Sequence, residues 1–189
     1  MGEVRVPLLS LEEAQSRAKE VGISEQMANL SVFRVLLQHP VLAKRVCDLL
    51  ISLLFTDNQL NPRLRELLIM RIGWATGAVY EWTQHWRVAT QMDIAEADIL
   101  AVRDWQQSDL LSDEDKAILK ATDDVLQRGS ISDEAWSACC KHVKTEAERV
   151  ELVLAIGNWG LFSQLLKSLK IPLEEGIEPW PPDGKVPES

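Results

Sequence analysis

Hydrophobic positions recur at helical spacing along most of the chain, and no alternating run of β-branched residues is long enough to indicate a strand. The pattern predicts an all-α fold. A first helix is expected from Leu11 to about Val21, because Gly22 follows as a stop signal. Another helix is expected from Pro40 to about Phe55, since proline suits the first helical position.

Capping signals continue in the second half of the chain. Ser112 with Asp115 and Thr145 with Glu148 have the spacing of capping boxes, which predicts helices that begin at these points. Five of the eight prolines fall after residue 170. We therefore predict one helical domain over residues 1–170 and an extended or mobile Pro-rich tail over 171–189.

Two consecutive helices near the middle of the chain hold most of the candidate chemistry. The first is expected from Pro62 to about Gly77 and the second from Ala78 to about Met92. Because a single glycine separates them, the two helices are predicted to pack as an antiparallel or sharply angled pair. We call them the motif helices.

Composition narrows the function classes. The chain has 189 residues with 20 basic and 29 acidic side chains, so its net charge is −9. This charge repels phosphate backbones and anionic lipid headgroups, which disfavours nucleic acid and membrane surfaces as partners. The apolar runs are shorter than a membrane span needs, and the first residues lack the pattern of a secretory signal. We expect a cytoplasmic protein.

The cysteines are expected to be reduced. Cys47, Cys139 and Cys140 cannot all pair within the chain, and adjacent cysteines form only a strained disulfide. The sequence contains no CxxC motif and no Cys/His cluster with zinc spacing, so we predict no metal site.

The second motif helix carries a candidate acid–base pair. Glu81 and His85 lie four residues apart and therefore on one helix face, with Tyr80 one position further round. A carboxylate beside an imidazole fixes its tautomer and raises its basicity, which suits proton transfer near neutral pH. In the preceding helix, Glu66 shares a face with two glycines that leave room for a partner helix or a ligand. The same i, i+4 spacing is also typical of a solvated surface pair.

Arginines and tryptophans supply candidate binding groups. Arg65 and Arg71 either hold an anionic substrate or form ordinary ion pairs with neighbouring carboxylates. Seven tryptophans against one tyrosine suit a wide apolar cavity or a large subunit interface. The candidate lining residues are Trp74, Trp82 and Trp159.

The segment RELLIMRIGWATGAVYEWTQH, residues 65–85, resembles the carboxymuconolactone decarboxylase and alkylhydroperoxidase-like superfamily. It is similar to the branch that reads RELVILRVAW, then a glycine, then YEWxQH. The upstream HPVLAKRV and the downstream SDEDKAILKATDDVL, ISDEAW and ELVLAIGNWGLFSQLLKSLKIPLEEG resemble other core helices of that branch. The resemblance implies an all-helical bundle that forms obligate dimers, trimers or hexamers, with cavities lined by the motif helices and often completed by a neighbouring subunit.

The resemblance also implies which residues are catalytic. Peroxidase members carry a glutamate, a CxxC pair and a histidine four residues after the second cysteine. Glu66 and His85 match the glutamate and the histidine, whereas Ala78 and Glu81 occupy the cysteine positions. Because neither residue forms a thiolate, thiol peroxidase activity is disfavoured. Glu81 instead resembles the glutamate of the decarboxylase members.

The leading hypothesis is a cofactor-free enzyme that acts on a small anionic or carbonyl-bearing organic substrate by decarboxylation or a related lyase or isomerase step. In this hypothesis His85 is the acid–base, Glu81 orients it, and Tyr80 donates a hydrogen bond to a developing enolate. Arg71 or Arg65 holds a substrate carboxylate. Loss of CO₂ beside a lactone or ketone leaves a carbanion that needs only charge delocalisation and a proton.

The alternative hypothesis is a non-catalytic ligand-binding or scaffold oligomer that keeps the fold. Tyr80 replaces a histidine of the muconolactone enzymes, and Trp159 stands where this branch is expected to carry a tyrosine. These two departures leave the substrate open.

Overall fold

The computed structural model describes residues 3–56 and 58–188, so the outermost residues of the predicted domain and tail lie outside it. These residues form α-helices with no β-strand among them, which confirms the predicted all-α class. A 3₁₀ helix, Val102–Gln107, follows α7. The α-helices are α1 (Leu11–Val21), α2 (Glu25–Ala28), α3 (Ser31–Leu36), α4 (Pro40–Leu54), α5 (Pro62–Thr76), α6 (Val79–Gln91), α7 (Glu96–Ala101), α8 (Asp113–Arg128), α9 (Asp133–Cys139) and α10 (Glu146–Leu169).

Two compact units divide the chain. The first contains the residues up to Asn58 and Leu165–Ile177, and it includes α1 to α4. Its helices begin and end where local side chains satisfy the backbone: Ser10 forms a capping box before α1, and Gly22 ends that helix with a left-handed φ of 73°. The four-residue α2 was not predicted, because so short a helix has no periodicity to detect.

The second unit contains Gln59–Gln164 and the segment from Glu178 onward. Its motif helices are α5 and α6, which Gly77 joins in a left-handed conformation with a φ of 66°. A methyl group at Gly73 would lie only 3.0 Å from the backbone nitrogen of Trp82. The absence of a side chain at Gly73 therefore allows the two motif helices to approach closely, which brings their ionisable side chains within reach of each other.

The second unit also holds the last part of the chain. Trp180 is buried among the apolar side chains of the unit. Its backbone N–H donates to the Thr83 hydroxyl at 3.2 Å, and the Trp82 indole donates to the Pro181 carbonyl at 2.8 Å. Arg103 forms a two-point ion pair with Asp183. The non-helical segment from residue 178 is thus docked on the unit by specific contacts.

α10 is, within the described residues, the one helix long and apolar enough to cross a membrane by length and composition. This is weak evidence, because core helices of other proteins pass the same test. Leu152, Ala155 and Ile156 of this helix are buried. The cytoplasmic location and the single domain over residues 1–170 stay predictions.

Candidate active site

His85 is held by two hydrogen bonds from opposite sides of its ring. Its Nδ1 lies 2.7 Å from Oε2 of Glu66 on α5, and its Nε2 lies 3.1 Å from the indole Nε1 of Trp159 on α10. An indole N–H can only donate, so Nε2 accepts this hydrogen bond. We therefore assign the ring proton to Nδ1, which donates to the Glu66 carboxylate.

The Glu81 carboxyl group also lies near the Nε2 atom of His85. Its Oε2 is 3.6 Å from Nε2 of His85, which is beyond hydrogen-bond distance. The spacing along α6 correctly predicts that these side chains are neighbours, but the hydrogen bond that orients the imidazole comes from Glu66 instead. The close approach of the motif helices makes this contact possible, and the i, i+4 spacing within α6 cannot reveal it.

Four ionisable side chains share this buried site, which we call the His85 cluster: Arg65, Glu66, Glu81 and His85. They range from 0% exposed for Glu66 to 9% for His85. The Arg65 guanidinium contacts the second oxygen of Glu66, with its Nε at 3.3 Å. The cluster thus places two carboxylates, one guanidinium and one imidazole in a largely buried site.

Burial shifts the protonation equilibria of the cluster. It raises the pKa of Glu81 to about 7; His85 opposes this shift and Glu66 adds to it. Burial by itself lowers the pKa of His85, but the charge and hydrogen bond of Glu66 and the charge of Glu81 together raise it above its ordinary value. The carboxyl group of Glu81 therefore titrates in a range useful for proton transfer near neutral pH.

Ala78 and Tyr80 lie just before Glu81 in the sequence. Ala78 is the N-cap residue of α6 and is 1% exposed. Tyr80 is buried on α6, and the contacts described above do not involve it. Its predicted hydrogen bond to an enolate stays a prediction.

Arg71 has a structural role in the fold. Its Nε and one terminal nitrogen donate to the two oxygens of Asp123, at 2.7 and 2.9 Å. Its other terminal nitrogen donates to the carbonyls of Val102 and Arg103, both at 3.0 Å. Binding a substrate carboxylate at Arg71 would require this ion pair to break.

Trp74 and Trp82 belong to an aromatic group beside the docked C-terminal segment. Their ring centroids are 5.2 Å apart, and that of Trp180 lies 5.9 Å from the ring of Trp74. The Arg103 guanidinium lies over both rings, at 4.5 Å from Trp74 and 4.7 Å from Trp82. Of the three predicted lining tryptophans, Trp159 alone has a described contact with His85.

The cysteine thiols take no part in the cluster. All three are free, and burial raises the pKa of Cys139 to about 12, with Cys140 and Asp124 adding to the rise. The Cys139 thiol donates to the Ala117 carbonyl at 3.3 Å. In the described part of the chain, no group of three or more His, Cys, Asp or Glu side chains is placed to hold a metal ion.

Known proteins share this fold and part of this sequence. Residues 40–124 match the sequence model of the Carboxymuconolactone decarboxylase family. No curated protein matches the chain in sequence. The alkylhydroperoxidase AhpD core of an uncharacterized peroxidase-related protein from Ralstonia eutropha is 14% identical, with a TM-score of 0.74 over 94% of this chain and 95% of that one.

Two other solved structures are similar in fold. The debrominase Bmp8 is 16% identical, with a TM-score of 0.68 over 93% of this chain and 94% of that one. A peroxidase-related protein from Silicibacter is 11% identical, with a TM-score of 0.69 over 93% and 95% of the two chains. The family match thus covers residues 40–124, and the solved structures share the fold of the chain.

Proposed function

We propose that this protein is a cofactor-independent, decarboxylase-like enzyme that uses the Glu81 and His85 pair for acid–base chemistry on a small organic acid. The observation that carries the proposal is a buried carboxyl group whose pKa is raised to about 7, next to an imidazole fixed in orientation by Glu66. A protonated carboxylic acid in a dry site is a competent proton donor at neutral pH.

The proposed reaction needs one bond to break and one proton to move. The C–C bond to the substrate carboxylate breaks, CO₂ leaves, and the electron pair delocalises into an adjacent carbonyl as an enolate. The carboxyl group of Glu81 then protonates the carbanion carbon and becomes a carboxylate. A proton from solvent restores it, so the net change is uptake of one proton and release of CO₂.

The substrate class follows from this step. The molecule must carry its carboxylate on the carbon next to a ketone or lactone carbonyl, so that the electron pair left by CO₂ delocalises into an enolate. A Bmp8 variant has been solved in complex with 2,3,4-tribromopyrrole, so that similarly folded protein holds a small cyclic organic molecule. This likeness supports a small cyclic substrate for the present chain. Tyr80 and Arg65 stay candidates for the enolate and carboxylate contacts.

The test is CO₂ release from a panel of β-keto acids and carboxylated lactones. Wild-type protein is expected to release CO₂ from at least one member, and Glu81→Gln to lower that rate by about 10²–10⁴-fold. Glu96→Gln is the matched control, because the same change on exposed Glu96 of α7 is expected to leave the rate unchanged. A fully active Glu81→Gln protein would contradict the proposal.

A second candidate function is ligand binding without catalysis. The observation that favours it is that both ring nitrogens of His85 are engaged inside the protein and the residue is only 9% exposed. Wild-type protein that binds a panel member by calorimetry, and releases no CO₂ from any of them, would establish this second function.

We further propose that the chain works as a homo-oligomer. Four apolar side chains of α10 are exposed and recur at helical spacing, which supports an interface on this helix. Light scattering on the purified protein is expected to give more than one chain per particle, and Leu154→Glu to lower that number. A wild-type monomer would contradict the proposal. The exposed side chains are Val150, Val153, Leu154 and Leu161.

A further inference from the structure

The contact between Trp159 and His85 is the least expected feature of the site. The indole Nε1 is 3.1 Å from Nε2, and the two rings meet edge to face at 83°. Trp159 is 1% exposed and is one of the largest fully buried side chains of the chain. The indole therefore cannot turn toward water, and its single donor is directed at the imidazole.

The other ring nitrogen is equally constrained. Nδ1 donates to the Glu66 carboxylate at 2.7 Å, and the second oxygen of Glu66 accepts from Arg65. A ring flip would put carbon atoms in both hydrogen-bonding positions. The orientation of His85 is thus fixed at both ends, with one hydrogen bond donated and one accepted.

A second proton on His85 would have to occupy Nε2. Two N–H groups, from Trp159 and from His85, would then face each other at hydrogen-bond distance. The indole N–H would lose its acceptor in a buried site, and a buried donor without an acceptor is disfavoured.

We propose that Trp159 biases the position of the proton shared by Glu81 and His85: its hydrogen bond favours the neutral imidazole and so favours a protonated Glu81. The catalytic consequence of this inference rests on the proposed function, whereas the location of the proton does not depend on it. Trp159 is a positioning residue in this account, and Glu81 is the group that exchanges a proton with the substrate.

The charges around the imidazole pull in the opposite direction. From α5, Glu66 favours the imidazolium and Arg65 opposes it; from α6, Glu81 favours it when ionised. Without the indole, the two carboxylates would therefore draw the proton onto His85. The hydrogen bond from Trp159 opposes this preference, because the indole needs an Nε2 atom without a proton as its acceptor. Removing its donor should therefore move the proton toward His85.

The experiment is a pH titration of the full chain followed by ¹⁵N NMR of the histidine rings. The neutral form of wild-type His85 is expected to carry its proton on Nδ1, and a scalar coupling is expected between the indole nitrogen of Trp159 and Nε2. Trp159→Phe keeps an apolar ring but removes the donor, so its His85 should take up the second proton at a higher pH than wild type. His85→Gln assigns the signal.

Trp136→Phe is the matched control, because Trp136 is 37% exposed on α9 and has no described contact with His85. It should leave the His85 signals unchanged. A neutral wild-type His85 with its proton on Nε2 would overturn the inference, and so would an unchanged titration midpoint of His85 in folded Trp159→Phe. The wild-type coupling tests the inference even if that variant does not fold.

This result is separable from the proposed function. A higher His85 midpoint in Trp159→Phe, found with a wild-type protein that releases no CO₂, contradicts the enzyme and supports the inference. Active wild-type protein whose His85 midpoint is unchanged in Trp159→Phe supports the enzyme and overturns the inference.

Discussion

The second unit contains two buried charge clusters that differ in how completely their groups are paired. In the Arg71 cluster, one guanidinium meets one carboxylate at two points, and Asp123 also accepts from the Trp105 indole at 2.9 Å. In the His85 cluster, Arg65 and His85 both contact Glu66, whereas Glu81 lies 3.6 Å from the imidazole. Within the described residues, Glu81 makes no ion pair at hydrogen-bond distance.

This difference in pairing indicates a structural role for the Arg71 cluster and a proton-transfer role for the His85 cluster. The groups of a well-matched buried ion pair both stay charged. Neither group then has a proton to exchange with a substrate. A buried carboxyl group without a close cation has a raised pKa and can exchange a proton near neutral pH. Arg71, predicted as a substrate clamp, belongs to the first kind, whereas Glu81 belongs to the second.

The largest effect on stability is expected in the matched cluster. Arg71→Met leaves the Asp123 carboxylate buried without its cation, which should lower the free energy of unfolding by about 3–5 kcal/mol in urea denaturation. The matched control is Arg87→Met on α6, where the arginine is exposed and a change within about 0.5 kcal/mol is expected. A loss below about 1 kcal/mol for Arg71→Met would remove the contrast between the clusters.

The second effect is the pH dependence of stability at Glu81. Its pKa is raised from 4.5 to about 7 in the folded protein, so the folded state holds this proton more tightly than the unfolded chain. The stabilisation is present below pH 4.5 and is lost as the pH rises through 7. Between pH 5 and 8, wild-type protein should lose about 2–3 kcal/mol more stability than Glu81→Gln. Equal pH dependence in the two proteins would argue against a buried, uncompensated Glu81.

A smaller effect is expected where the motif helices meet. In Gly73→Ala, the added methyl group would lie 3.0 Å from the Trp82 nitrogen and 3.3 Å from its Cα. Overpacking of about 1–3 kcal/mol should exceed the gain of about 1 kcal/mol in helix propensity, so the variant should be less stable by about 1 kcal/mol. Thermal unfolding measures this change. A variant as stable as wild type would show that the close approach of the helices is not constrained at Gly73.

The smallest effect is expected at the cysteines. Replacing Cys139 by alanine and Cys140 by serine should leave CO₂ release unchanged, because neither thiol contacts the His85 cluster and burial raises the Cys139 pKa to about 12. Loss of activity in the folded double variant would instead favour thiol chemistry.

Local signals in the sequence predict most of the helical elements. Ser112 and Asp115 form the expected capping box at the start of α8, and Gly22 ends α1 as expected. The 3₁₀ helix after α7 cannot be told from an α-helix by sequence pattern, because both helix types share apolar positions three residues apart.

The sequence predicts residues of the site but not the hydrogen bonds between them. Spacing indicates that Glu81 and His85 are neighbours, and the resemblance to the superfamily adds Glu66. Trp159 bonds His85 from 74 positions along the chain, and Asp123 bonds Arg71 from 52. Such contacts depend on tertiary packing, so spacing along one helix carries no signal for them.

The most direct test of the account is a ¹³C NMR titration of the Glu81 carboxyl carbon in the full-length protein, assigned with Glu81→Gln. We expect a midpoint near 7, as burial beside Glu66 requires. A midpoint near the ordinary glutamate value of 4.5 would show that Glu81 is ionised at neutral pH, and would contradict its role as the proton donor.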